Sequence, residues 1–231
     1  MCSESLQTAD SIGQFTVRDG LSQITIRELH QDRRGFLWVA TGDGLNRFDG
    51  FEFKVYRHRR GDPTSLPGNE VMSILEDRDD VLWFGTRSSG VARWDRSLDR
   101  FLTYRHDPQD PESLADDRVV VLTQTRDGLM WIGTQRGLTR LNPQTGEIGP
   151  FRGEPRALAE AWITGLWGDS KGALWVSTAE DLFRIGAAGA VESFADRVQF
   201  KGVTHPRVFL EEASGVLWVS GWPGLLRVDL N

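Results

Sequence analysis

A chain of 231 residues, 39% hydrophobic and 26% charged, is long enough to bury a core and ordinary for a globular protein. Its formal net charge of −6 argues against tight non-specific binding to nucleic acid, which depends on neutralising phosphates. The one cysteine, Cys2, excludes an intramolecular disulfide, and no apolar run nears the roughly 18 residues of a membrane-spanning helix, so direct membrane insertion is not expected.

In chain order, residues 1–13 read as a tail, with neither the basic nor the apolar segment of a secretory leader. Gln14-Phe15-Thr16-Val17 reads as an isolated strand. From there to residue 231 one pattern recurs. Trp38, Trp83, Trp131, Trp175 and Trp218 stand 45, 48, 44 and 43 residues apart. Each follows Leu or Met, and three residues earlier comes Gly35, Asp80, Gly128, Gly172 or Gly215. Three residues later comes Thr41, Thr86, Thr134, Thr178 or Gly221, and further on Arg47, Arg93, Arg140, Arg184 or Arg227. FKVYRH at 53–58 answers FLTYRH at 101–106, and DPTSL at 62–66 answers DPESL at 110–114.

Each copy predicts four short strands. An apolar run such as Val119-Val120-Val121-Leu122 leads into an acid- and glycine-bearing hairpin turn. The Leu-Trp strand follows, then a second turn, then a third strand such as Leu45-Asn46-Arg47-Phe48, and a fourth, Phe-x-x-Tyr. No stretch holds a helical period. Four strands in roughly 45 residues mark a β-propeller blade, so an all-β propeller of five four-stranded blades is expected over 14–231. The large flat tryptophan suits packing between blades, and the small Ala, Gly or Ser two residues on leaves room for the next sheet. The last copy ends after a third strand, so pairing it with 14–17 would close a five-blade ring. The alternative is an open arc, whose exposed edges would offer a route to self-association.

Residues 20–58, GLSQITIRELHQDRRGFLWVATGDGLNRFDGFEFKVYRH, resemble the two-component regulator propeller repeat, as do LWFGT, MWIGT and the DPxSL loops. Copies four and five depart from it, at Ser177-Thr178-Ala179-Glu180-Asp181 and Gly221-Trp222-Pro223-Gly224. The resemblance implies a non-catalytic sensor of a bacterial hybrid histidine kinase or diguanylate-cyclase receptor, with further propeller or signalling domains as partners. It also implies a periplasmic location where a leader precedes it; the chain as written would stay cytoplasmic.

Apparent catalytic motifs have simpler readings. Gly168-Asp169-Ser170-Lys171-Gly172 spells a nucleophile elbow, but falls in a hairpin between strands rather than between strand and helix. His30, His58, His106 and His205 make no ligand pattern, so no metal or cofactor is expected. The recurrent arginines read as repeated carboxylate pairs on the blade flanks. A ligand site is expected instead where the copies disagree, on the face gathering the loops into each first strand and between strands two and three. Gln23, Asn69, Glu70, Arg118, Trp162, His205 and Trp222 are its candidates, beside Asp117 and the second-loop residues Asp43, Arg87, Gln135 and Glu180. Their mixture suits a small polar ligand such as a carbohydrate, with Trp162 and Trp222 to stack on a sugar face. The alternatives are a protein-docking platform and a propeller glycosidase or lyase that gathers carboxylates at its axis.

Overall fold

The computed structural model describes residues 13–153, 157–194, 208–221 and 224–230. Four antiparallel sheets of four strands and one of three run in sequence order. The first holds β1 (Ile26–Gln31), β2 (Leu37–Thr41), β3 (Gly44–Phe48) and β4 (Phe53–Tyr56). The second holds β5 (Val71–Glu76), β6 (Leu82–Thr86), β7 (Val91–Asp95) and β8 (Arg100–Tyr104). The third holds β9 (Val119–Gln124), β10 (Met130–Thr134), β11 (Gly137–Leu141) and β12 (Ile148–Pro150). After a single helical turn, α1 (Ala157–Glu160), comes the fourth: β13 (Ile163–Gly168), β14 (Leu174–Thr178), β15 (Leu182–Ile185) and β16 (Val191–Ser193). The last holds β17 (Phe209–Glu211), β18 (Val216–Gly221) and β19 (Gly224–Asp229). No helix among the described residues is long and apolar enough to cross a membrane.

The predicted inner hairpins form because their third-before-tryptophan residue is left-handed: Gly35, Asp80, Gly128, Gly172 and Gly215 have φ of 90°, 60°, 88°, 86° and 80°. Glycine reaches that region without a Cβ penalty, and aspartate is one of the few other residues that tolerates it. Successive sheets pack through their first strands, β1 on β5, β5 on β9, β9 on β13 and β13 on β17. Each of the first four repeat tryptophans caps the interface with the sheet that follows. Trp38 packs among Val71, Ile74, Phe84 and Trp94 of the second sheet, Trp83 among Val119, Met130 and Ile132, Trp131 among Ile163, Leu166 and Val176, and Trp175 among Phe209, Leu217 and Val219. The core is thus four inter-sheet layers in a row, as expected when one sheet cannot bury both of its faces alone.

Small residues after the tryptophan set how closely the sheets approach. A Cβ on Gly133 would lie 2.7 Å from Ile163 Cγ2, and one on Gly85 would lie 2.6 Å from Val119 Cγ1.

The described sheets pack one on the next from the first to the last. Among the described residues no sheet follows the last one; Trp218 is only half-buried, and Leu210 and Leu225 are 62% and 64% exposed. At the other end Ile24 and Leu29 are 72% and 59% exposed. The expectation that 14–17 supplies a fourth strand to the last sheet is corrected. Residues Val17–Asp19 form a 3₁₀ turn capped by Thr16, and Phe15 packs on Phe48 and Phe53 of the first sheet. The Thr16–Asp19 capping box satisfies the backbone locally and removes it from strand pairing.

The arginine expectation is also corrected. Arg47 lies over the Phe36 and Trp94 rings, Arg93 over Trp83, and Arg184 over Trp175 while 3.9 Å from Asp169. Ring faces, more than carboxylates, hold these guanidinium groups.

Candidate functional site

Two sets of loops meet on one face, those entering each first strand and those joining strands two and three. Hydrogen bonds sew them together in a repeating pattern. In four of the sheets the second-to-third-strand segment bonds the loop entering its own sheet: Gly42 N to Thr25 O at 3.3 Å, Arg87 N to Glu70 O and Gln135 N to Arg118 O at 3.0 Å each, and Ser220 N to Val208 O at 2.9 Å. The same turns bond the loop entering the next sheet: Gly44 N to Asn69 O at 2.7 Å, Gly90 N to Asp117 O at 2.9 Å, Gly137 N to Ala161 O at 2.8 Å. The second-to-third-strand turns of the first three sheets therefore each touch two sheets at once.

The predicted residues divide by what they touch. Gln23 Oε1 accepts from Thr25 N and Gly42 N, folding the side chain onto its own turn. Asn69 Oδ1 accepts from His58 N at 2.7 Å and its Nδ2 donates to Asp43 Oδ1 at 3.0 Å. Asp117 repeats the first contact with His106 N at 2.8 Å. His58 and His106 contact the carbonyls of Leu66 and Leu114 through Nδ1, so position in the repeat accounts for both. The Asp-Pro-x-Ser-Leu loops are held from within, Ser65 and Ser113 accepting from the backbone and Leu66 and Leu114 fully buried.

Glu70, Arg118 and Trp162 differ. Glu70 Oε1 accepts from Arg27 of the first sheet at 3.1 Å and from Arg87 of its own at 2.9 Å, bridging two blades with one carboxylate. Arg27 occupies a bulge in β1, and β5, β9 and β13 are bulged at the corresponding place. Such a bulge re-aims a side chain at a sheet rim. Arg118 grips Asp116 with two bonds of 2.9 and 2.8 Å, and that contact holds the Asp116 carboxyl below its ordinary range. Trp162, just ahead of β13, is 42% exposed, in contrast to the fully buried Trp38 and Trp83. His205 and Trp222 lie outside the described residues. Sequence reading missed Arg27 and Asp116; one lies within the first strand of its sheet and the other just ahead of β9, and only the bulge and the ion pair single them out.

Ser170 sits in the turn between β13 and β14, its N bonded to Glu211 and its O accepting from Arg126. The hairpin reading of that motif stands.

Residues 65–88 and 113–136 match the family model of the two component regulator propeller. These segments are two-component regulator propeller repeats. They coincide with the second and third copies of the pattern, each running from a Ser-Leu anchor through a tryptophan strand. A 52-residue stretch is 54% identical to histidine kinase P4 of Formosa agariphila, 22% of this chain and 4% of that relative. In three dimensions the chain is similar to the extracellular domain assigned to hybrid two-component system BT3049 of B. thetaiotaomicron, with TM-score 0.63 and 21% identity. That likeness covers 94% of this chain and 35% of the other. Virginiamycin B lyase of Staphylococcus aureus is similar at TM-score 0.60 and 14% identity, over 89% and 70% of the two chains. At these identities the solved structures show a shared propeller fold. The chain spans about a third of the BT3049 domain and a small fraction of the curated relative.

Proposed function

We propose that this regulator-propeller region is the sensor part of a bacterial signalling receptor, outside the cytoplasm, and that it binds a small polar ligand, a carbohydrate, on its loop face. The repeats at 65–88 and 113–136 carry the reading. The stretch shared with a histidine kinase and the fold shared with an extracellular two-component domain support it. On the loop face, Trp162 offers a flat apolar surface for a sugar ring, and the Arg27–Glu70–Arg87 and Arg118–Asp116 groups offer paired donors and acceptors. Gln23 and Asn69 hold the loops beneath. Chemistry is not assigned to this region; its output is a change in packing.

The mechanism rests on turns of the first three sheets that each touch two sheets. A ligand bridging neighbouring loops favours one inter-sheet arrangement over another, and only that difference in affinity can bias an output domain. The exposed apolar faces at Leu29 and Leu210 are of the kind that sheets two to four bury, so further propeller blades of the parent receptor are the partners that fit them.

The test is a calorimetric screen of neutral and acidic oligosaccharides against the 231-residue chain and its Trp162→Ala variant. A saccharide whose affinity falls at least tenfold in the variant supports the site. Binding unaffected by Trp162→Ala, or no binding by any saccharide, rejects it.

A further inference from the structure

The blades also differ on the opposite face, where the turns joining strands one to two and three to four lie. Between the first and second sheets that groove is plugged by the protein itself. The Trp94 indole stands 4.8 Å from the Trp38 ring at 68°, with Arg47 5.9 Å above it. Arg96, two residues on, stacks on Trp94 at 5.1 Å and reaches within 3.7 Å of the buried Asp32 carboxylate.

Between the third and fourth sheets all three parts of the plug are replaced. Ile185 stands in place of Trp94, Ala187 in place of Arg96, and Thr125 in place of Asp32. Thr125 still accepts from the Trp131 indole, at 3.0 Å, so the tryptophan stays where its counterparts are. What the smaller residues leave is a cavity of about 370 Å³, lined by Trp131, Leu129, Leu174, Ile185, Phe151 and Arg140 among others. That volume falls within the roughly 300–1,000 Å³ of small-molecule sites.

Charge changes with shape. The exposed Arg140 side chain is the counterpart of those of Arg47, Arg93 and Arg184, yet it alone of the four makes no ring contact, hydrogen bond or ion pair among the described residues. Of the acids around the cavity, Glu112 is paired with Arg152, and Asp127 accepts from Thr125 Oγ1 and Leu129 N. Arg140 of β11 and the exposed Glu147, in the turn ahead of β12, remain.

We infer that this groove binds a small molecule with a planar aromatic ring and a carboxylate. The ring takes the place, against Trp131, that the Trp94 indole fills against Trp38 two interfaces earlier. The carboxylate meets Arg140, whose neighbouring buried aspartate has become an uncharged threonine. The site lies on the face away from the loops, so it goes beyond the loop-face reading and stands or falls separately.

Indole-3-acetate, indole and tryptamine are the probes, titrated against the full chain by calorimetry and ligand-observed NMR. Indole-3-acetate should bind at least tenfold more tightly than tryptamine, and Arg140→Gln should remove that preference, as expected for loss of a charge-assisted contact. Ile185→Trp restores the protein's own plug and should abolish binding of all three. Thr125→Asp, which restores the repeat's own residue, should cost indole-3-acetate at least tenfold while sparing indole. The inference is overturned if none of the probes binds, if tryptamine binds best, or if folded Ile185→Trp and Thr125→Asp both bind indole-3-acetate as the parent does. Carbohydrate binding at the loop face is scored in a separate titration, so either reading can fail alone.

Discussion

The indole Nε1 of Trp38 donates to Oδ2 of Asp32 at 3.0 Å, with both groups buried. The same bond recurs from Trp83 to Asp77 at 2.8 Å and from Trp175 to Asp169 at 2.9 Å, always six residues apart. Each of these carboxylates also accepts backbone N–H groups of its hairpin through Oδ1, as Asp77 does from Asp79 and Val81. One side chain therefore closes the turn and fixes the ring that caps the next sheet. Asp77→Ala leaves an indole N–H and two backbone donors without partners, and should cost about 3 kcal/mol, read from urea denaturation. A loss under about 1 kcal/mol would mean the ring is held by packing alone.

Gly133 tests the spacing between sheets. A Cβ there would meet both Ile163 and Val121, at 2.7 and 2.8 Å. Gly133→Val should destabilise by about 1–3 kcal/mol through overpacking. Ile163→Ala in the same chain should recover part of that loss, which a thermal melt of the double variant would read.

Glu28 links stability to pH. Desolvation raises its pKa, opposed by the bond it accepts from Ile74 N at 2.8 Å and by nearby His30. A carboxyl whose folded pKa lies above its unfolded value disfavours the folded state once pH rises through that window. Glu28→Gln should therefore be more stable than the parent at pH 7. The difference should vanish below the ordinary glutamate pKa of about 4.3, where both states are protonated. Denaturation midpoints at pH 7 and pH 3.5 would check the sign.

The Glu70 bridge is partly exposed, with its two arginines at 35% and 57% side-chain exposure. Such pairs are screened by solvent and contribute about 0–1 kcal/mol. Glu70→Gln should leave the melting temperature nearly unchanged while altering affinity for any saccharide that binds the loop face. A large drop in melting temperature would make Glu70 a structural clasp instead.

The blades were legible in the sequence because their determinants are local. A tryptophan every 43 to 48 residues, a left-handed turn residue three before it and a small residue two after it each act within one hairpin. The tryptophan's own partner was legible too, six residues upstream as Asp32, Asp77, Thr125, Asp169 and Glu212, but turn acids are common enough to hide it. At the loop face, position alone could not separate Asn69, whose amide is taken up by His58 and Asp43, from Glu70, which spans two blades. Phe15 was misread for a related reason. An extended apolar stretch pairs wherever an edge is within reach, and here the Thr16 cap turned it back onto Phe48 and Phe53.

The sequence by itself determined the repeat, the strands and the side chain that caps each sheet, because these depend on residues within about one hairpin of each other. Only the tertiary structure decided how the sheets pack in a row, which loop residues are held by neighbours, and that Thr125, Ile185 and Ala187 surround one cavity. Those depend on residues some 60 positions apart meeting across an inter-sheet layer, and whether a groove is filled or empty is set by the volumes that arrive there from two different blades.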